Sequence, residues 1–252
     1  MNVLKDLYDK SKIWFAVFWI IAYCVLMSAG DAISAMLGIQ KSATLAIGII
    51  LSVILLLFLK KNELFSDYGL CTPKICGRAM LYYVPLLIML SVNLWYGVTL
   101  NFGALETLLY ILSMLCVGFL EEVIFRGLLF EAMRKDNVKV AIIVSSVTFG
   151  IGYIINLING SGAELLPNLL QVIYATAAGF MFVMMYYKSK SLLACIAAHG
   201  IFNALSVFAN EANATKEMRI LTAILLTVIT ASYALYLAFS MKGKTRDESP
   251  HT

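Results

Sequence analysis

Leu-Cys-Val-Gly-Phe-Leu-Glu-Glu-Val-Ile-Phe-Arg-Gly, residues 115–127, sets two adjacent carboxylates and a guanidinium inside a run that is otherwise apolar. A lone charge in hydrocarbon costs at least a few kcal/mol, so these groups need partners at their own depth. Glu122 and Arg126 are four residues apart, on one helical face in the favoured acid-then-base order, and can neutralise each other. Glu121 is turned about 100° from Glu122 and is expected to point away from that pair, leaving a carboxylate available for chemistry.

The rest of the chain supplies the hydrocarbon. Of its 252 residues 61% are hydrophobic and 13% charged, with a mean hydropathy of +0.86, outside the range of a soluble domain of this size. Eight segments are apolar over close to the ~20 residues a span requires: roughly 13–36, 42–59, 79–99, 104–125, 138–158, 168–187, 191–209 and 219–240. The expected fold is therefore all-α, a polytopic bundle of about eight transmembrane helices. The net charge of +4 arises from lysines and arginines scattered singly between spans, with no basic stripe, which argues against nucleic acid as a partner. With eight crossings, 15 of the 19 basic residues fall on the side of both termini, and Lys41, Lys216 and Arg219 on the other. The positive-inside rule then puts both termini in the cytoplasm. Five cysteines, an odd number without metal spacing, read as reduced structural thiols. The basic N-terminus leads into a long span with no cleavage site and is expected to remain as the first helix.

Counting about 1.5 Å per residue inward from Arg134, Lys139 and Lys190 puts Glu121 roughly 20 Å deep, Tyr153 about 21 Å, His199 about 14 Å and Asn203 about 20 Å. Three helices thus deliver polar side chains to one level, with His199 and Asn203 four apart on one face. Such residues can simply hydrogen-bond across helices and hold a bundle together. In the functional reading Glu121 polarises a water while His199 and Asn203 donate to an oxyanion on a peptide carbonyl, in a single hydrated hollow opening toward the cytoplasm. One histidine within the spans is too few for a zinc site, and Arg126 disfavours a further cation, so no metal and no cofactor is expected.

Glu121 to Gly127, Phe-Gly-Ile-Gly-Tyr at 149–153 and His-Gly-Ile-Phe-Asn at 199–203 resemble, in order and spacing, the three motifs of the CAAX-protease and bacteriocin-processing family of intramembrane glutamate endopeptidases. The likeness covers about 80–210. It implies Glu121 as the water-activating residue, Glu122 and Arg126 as its support, and His199 with Asn203 as the oxyanion pair. The second family motif is Phe-x-x-x-His, and Tyr153 stands where its histidine belongs. A phenol donates a hydrogen bond but, with an ordinary pKa of about 10, is a poor base near neutrality.

These readings divide the chain into an N-terminal pair of helices and loop (1–78), a catalytic core (79–210), and a last helix with a polar tail (211–252). The function they imply is cleavage of a peptide, leader-peptide or lipidated substrate in a bacterial plasma membrane, with substrate and membrane lipids as partners. A non-catalytic scaffold, regulator or bacteriocin self-immunity protein on the same fold is the alternative. Transport is the third reading, disfavoured because no inverted repeat or paired broken helix is visible.

Overall fold

The computed structural model describes residues 2–157 and 165–240; Lys242, Lys244, Arg246 and His251, used above for topology and ligand counts, lie outside the described residues. Ten α-helices are present: α1 Asn2–Lys10, α2 Lys12–Leu37, α3 Ser42–Lys61, α4 Val84–Ser91, α5 Ala104–Glu121, α6 Glu131–Arg134, α7 Val138–Gly152, α8 Leu165–Ser189, α9 Leu193–Leu205 and α10 Lys216–Ser240. Among the described residues the only β feature is an isolated antiparallel bridge between Val98 and Ala209. The chain is an all-α polytopic membrane protein.

Among the described residues each apolar segment has a helical core, but they are not equal. Six are long and apolar enough to cross a bilayer, while Val84–Leu94 and Leu193–Phe208 are shorter. The short ones are extended by 3₁₀ turns, Gly77–Tyr83 before α4 and Ser206–Phe208 after α9, whose rise of about 2 Å per residue recovers length that α-geometry would not give. Caps mark the turns: Ser11 accepts from the Trp14 N–H, Asn137 accepts from the Lys139 and Val140 N–H groups, and Gly38 ends α2 in the left-handed region at φ 68°. Outward-facing Ile21, Val25, Ile50, Leu57, Ile143 and Leu235 stay exposed, as a lipid-solvated surface allows.

Interhelical bonds sort the turns into two ends. At one end Leu192 N–H donates to Gly69 O, Lys74 N–H to Ser189 O, and the Tyr68 hydroxyl to that of Tyr8. At the other, Gln40 N–H donates to Glu106, Thr99 N–H to Phe208 O, and Asn210 N–H to Gly97 O. The first end carries the described lysines and arginines from Lys5 to Lys12, Lys60 to Arg78, Arg134 to Lys139, and Lys188 with Lys190; the second carries Lys41, Lys216 and Arg219. The charge asymmetry read from the sequence is thus a property of the folded bundle.

The basic end is closed. Rings of Tyr8, Phe15, Phe58 and Tyr68 pack with centroids 4.8–6.5 Å apart, Phe130 meets Tyr186 at 5.9 Å, and all six side chains are at most 6% exposed. Burial, with the Tyr8 hydroxyl beside it, pushes the Tyr68 phenol well above its ordinary pKa and keeps it neutral in this layer.

Candidate active site

The helix carrying the two glutamates does not continue as an α-helix. Between α5 and α6 residues Glu122–Phe130 form a π-helix, every one of them buried, and the whole element runs from Ala104 to Arg134. Wider winding frees carbonyls from the α-pattern, and the Ser145 hydroxyl on α7 donates to one of them, Phe125 O, at 2.8 Å. π-segments occur disproportionately at functional sites, and this one begins at the carboxylate pair.

Close backbone approach puts α9 opposite that pair. A Cβ on Gly118 would lie 2.5 Å from the Gly200 nitrogen, so helices α5 and α9 cross glycine on glycine. The crossing is one residue from His199 and one turn from Glu121 and Glu122. On the other flank Gly150 packs against the α8 backbone, where a Cβ would stand 2.8 Å from Thr176 N, and this presses Phe149 and Tyr153 inward.

One imidazole joins both carboxylates. His199 Nδ1 lies 2.8 Å from Glu122 Oε1, and Nε2 lies 3.3 Å from Glu121 Oε2. Glu121 therefore does not stand apart from the Glu122 pair as the sequence suggested; under-winding and the histidine between them draw the two together. Glu122 Oε1 also lies 3.1 Å from Arg126 Nη1, in an ion pair whose two side chains are 0% exposed. Among the described residues no Arg126 nitrogen reaches good hydrogen-bond geometry. The guanidinium is held by charge and by rings, with its centre 4.0 Å from the Phe149 centroid and 5.5 Å from that of Phe182. Phe182 also stacks on His199 at 5.6 Å and 16°, and Phe149 meets the same imidazole edge-on.

A residue outside the sequence motifs completes the first carboxylate. Tyr23 on α2 donates its phenol to Glu121 Oε1 at 2.6 Å. A tyrosine mid-span has an O–H that must find a partner, and Tyr23 lies eleven residues, about 16 Å, from Lys12, at the level of Glu121. That signal is present in the sequence. The π-helix left no comparable signal.

The single hollow expected from the sequence is two cavities. Glu121 faces one of about 130 Å³, shared with Tyr23, Ser28, Asp31, Phe149 and Tyr153. His199 and Asn203 face a second of about 30 Å³, also bounded by Phe149 and Tyr153. Both hold water-sized space, several molecules in the first and one or two in the second. The Phe149 and Tyr153 rings, 5.8 Å apart, form the wall between them. The cavities extend toward the less basic end, where Asp31 is fixed by Lys41 at 2.7 Å and by the Thr44 hydroxyl at 2.6 Å. The opening expected on the basic side is filled by the aromatic layer.

Against known proteins, the family model "Type II CAAX prenyl endopeptidase Rce1-like" matches residues 103–205. The match covers 103 of the 252 residues. The matched segment begins just before α5 and ends with α9, so it contains Glu121, Glu122, Arg126, Tyr153, His199 and Asn203 together. Tyr23 and Asp31 reach the site from outside it. No curated protein and no solved structure matches the chain. The family matched is one of CAAX-type endopeptidases, and the long apolar helices make the chain a multi-pass integral membrane protein.

Proposed function

We propose that the chain is an intramembrane endopeptidase that hydrolyses a peptide bond with water activated by Glu121. The observation that carries this reading is the placement of Glu121 on a cavity large enough for water, with the His199 imidazole 3.3 Å from one carboxylate oxygen and the Tyr23 phenol 2.6 Å from the other. In the step proposed, Glu121 takes a proton from water, the hydroxide oxygen bonds to the carbonyl carbon, and the carbonyl π pair moves to oxygen. Collapse of that oxyanion breaks the C–N bond, and the proton held by Glu121 passes to the leaving amine.

His199 hydrogen-bonds through Nδ1 to Glu122, while Nε2 lies 3.3 Å from Glu121 Oε2 without hydrogen-bond geometry, so the oxyanion donors proposed are the Asn203 carboxamide, the Tyr153 phenol and, in the protonated imidazole, His199 Nε2. His199 also sets the Glu121 carboxylate beside the Glu122–Arg126 pair. The substrate is a peptide or leader peptide presented at the membrane, lipids are the other partners, and the basic end with both termini faces the cytoplasm of a bacterial cell. Processing of candidate peptides by the purified protein, compared with Glu121→Gln and His199→Ala, tests the reading; turnover unchanged in both variants removes it.

A second reading rests on the wall between the cavities. Phe149 and Tyr153 separate Glu121 from Asn203, and a chain in which they never part would be a membrane scaffold or immunity protein that keeps the family fold. Absence of turnover by the parent protein, with Glu121→Gln preserving its cellular effect, would favour that reading.

A further inference from the structure

At the less basic end, the turn after α4 (Val92, Asn93 and Tyr96), α8, α10, Phe202 of α9 and the segment 209–211 enclose a groove of about 450 Å³, in the size range of ligand sites. Tyr174, Phe202 and Leu226 line this groove and the His199–Asn203 cavity alike, so one layer of side chains separates the two. On the groove wall Asn168, 2% exposed, donates through Nδ2 to Tyr153 O at 2.9 Å, while its Oδ1 is a buried acceptor with no hydrogen-bond partner among the described residues. A buried unsatisfied amide oxygen calls for an N–H donor, and extended peptide backbone supplies one every residue. The opposite end of the bundle is shut by the Tyr8–Phe15–Phe58–Tyr68 layer and by Phe130 on Tyr186.

We infer that this groove is the peptide-binding subsite, that Asn168 Oδ1 accepts a backbone N–H of the substrate, and that the peptide enters from the end of the bundle remote from the basic residues. The inference rests on the peptidase reading above for its substrate, and on the charge rule for the conclusion that this end faces outward. The substrate class is then an extended peptide on the outer face of the membrane, of mixed polarity: the mouth offers Asn93, Tyr96 and the Glu211–Arg219 ion pair, whereas the inner end is aromatic.

Thiol labelling tests the direction without any assay of activity. In sealed vesicles of known orientation a membrane-impermeant maleimide is added from one side or the other. Exposed Cys76, in the loop at the basic end, reports that side in the parent. In a Cys71→Ser/Cys76→Ser background, Gln171→Cys reports the groove, with the same background lacking Gln171→Cys as the blank. The expected result is labelling of Gln171→Cys from the face opposite to Cys76; labelling from the same face, or none above the blank in protein that elutes as a folded species, overturns the route. Leu170→Cys, on the same groove wall, gives the same reading if Gln171→Cys fails to fold. Binding is tested by Asn168→Ala, expected to raise KM about tenfold with kcat within about twofold. An unchanged KM, or a loss confined to kcat, overturns the subsite. Loss of the peptidase reading itself would show as an inactive parent, while the labelling result would stand.

Discussion

The cavities on either side of Phe149 and Tyr153 differ in what they ask of their residues. The one at Glu121 is roomy and polar-walled, with a carboxylate, a phenol and Asp31 around space for several waters. The one at His199 is a slot between aromatic rings, and its histidine is held through Nδ1 by Glu122. Proton abstraction needs water beside a base, which the first supplies; stabilising a developing charge needs fixed donors in a dry place, which the second supplies. The division of labour assigns chemistry to Glu121 and geometry to the α7 and α9 residues. Glu121→Gln, which keeps the shape of the side chain and removes its basicity, is expected to lower kcat by about 10²–10⁴, measured on a processed peptide, with the folded fraction unchanged. A kcat within a few-fold of the parent would mean that the polar cavity is not the place where water is activated.

The pair behind the wall is expected to matter for folding more than for turnover. Arg126→Ala leaves Glu122 buried without its cation, and breaking one side of a buried pair costs about 3–5 kcal/mol. Thermal unfolding in detergent should show a large fall in stability, accompanied by loss of the cation–π contact with Phe149. Glu122→Gln keeps an acceptor for Arg126 and His199 and should lose less. If both variants unfold like the parent, the Glu122–Arg126 pair is not what holds the π-segment against α7 and α8.

Much of this could be read from the residues. Glu122 to Arg126, His199 to Asn203 and the common depth of Tyr153 followed from helical rise and from the demand that buried charge be paired, because both are local or one-dimensional constraints. The pair, the shared face of His199 and Asn203, and the convergence of three helices are all present. What escaped depends on packing between distant segments. That Glu121 and Glu122 meet one imidazole needs the Gly118–Gly200 crossing and the π-winding, neither encoded by periodicity. The two-cavity arrangement follows from ring size at Phe149 and Tyr153, which spacing does not specify. The span lengths were legible only as apolar runs; that α4 and α9 are short and finished by 3₁₀ turns was not.

Replacing the wall tests whether the two cavities must communicate. Tyr153→His installs the histidine of the family's second motif, a smaller ring that can exchange a proton near neutral pH. Turnover is expected to rise, by about tenfold if proton transfer is the limiting step, with little change in KM. Equal or lower turnover would mean that the Tyr153 phenol is needed as an oxyanion donor and that the histidine ring does not replace it.

The smallest effect is expected where the core meets the N-terminal helices. Tyr23→Phe removes only the O–H that reaches Glu121 Oε1, leaving the ring to fill the same space. If Tyr23 positions the base, kcat should fall about three- to tenfold, the worth of about 0.6–1.4 kcal/mol, with KM and the unfolding temperature nearly constant. If it merely packs α2 against the core, kcat should hold and stability should drop instead. Because α2 lies outside residues 103–205, a kcat effect would show that the site is completed by a helix the family match does not include, and that the core alone is not the whole catalytic unit.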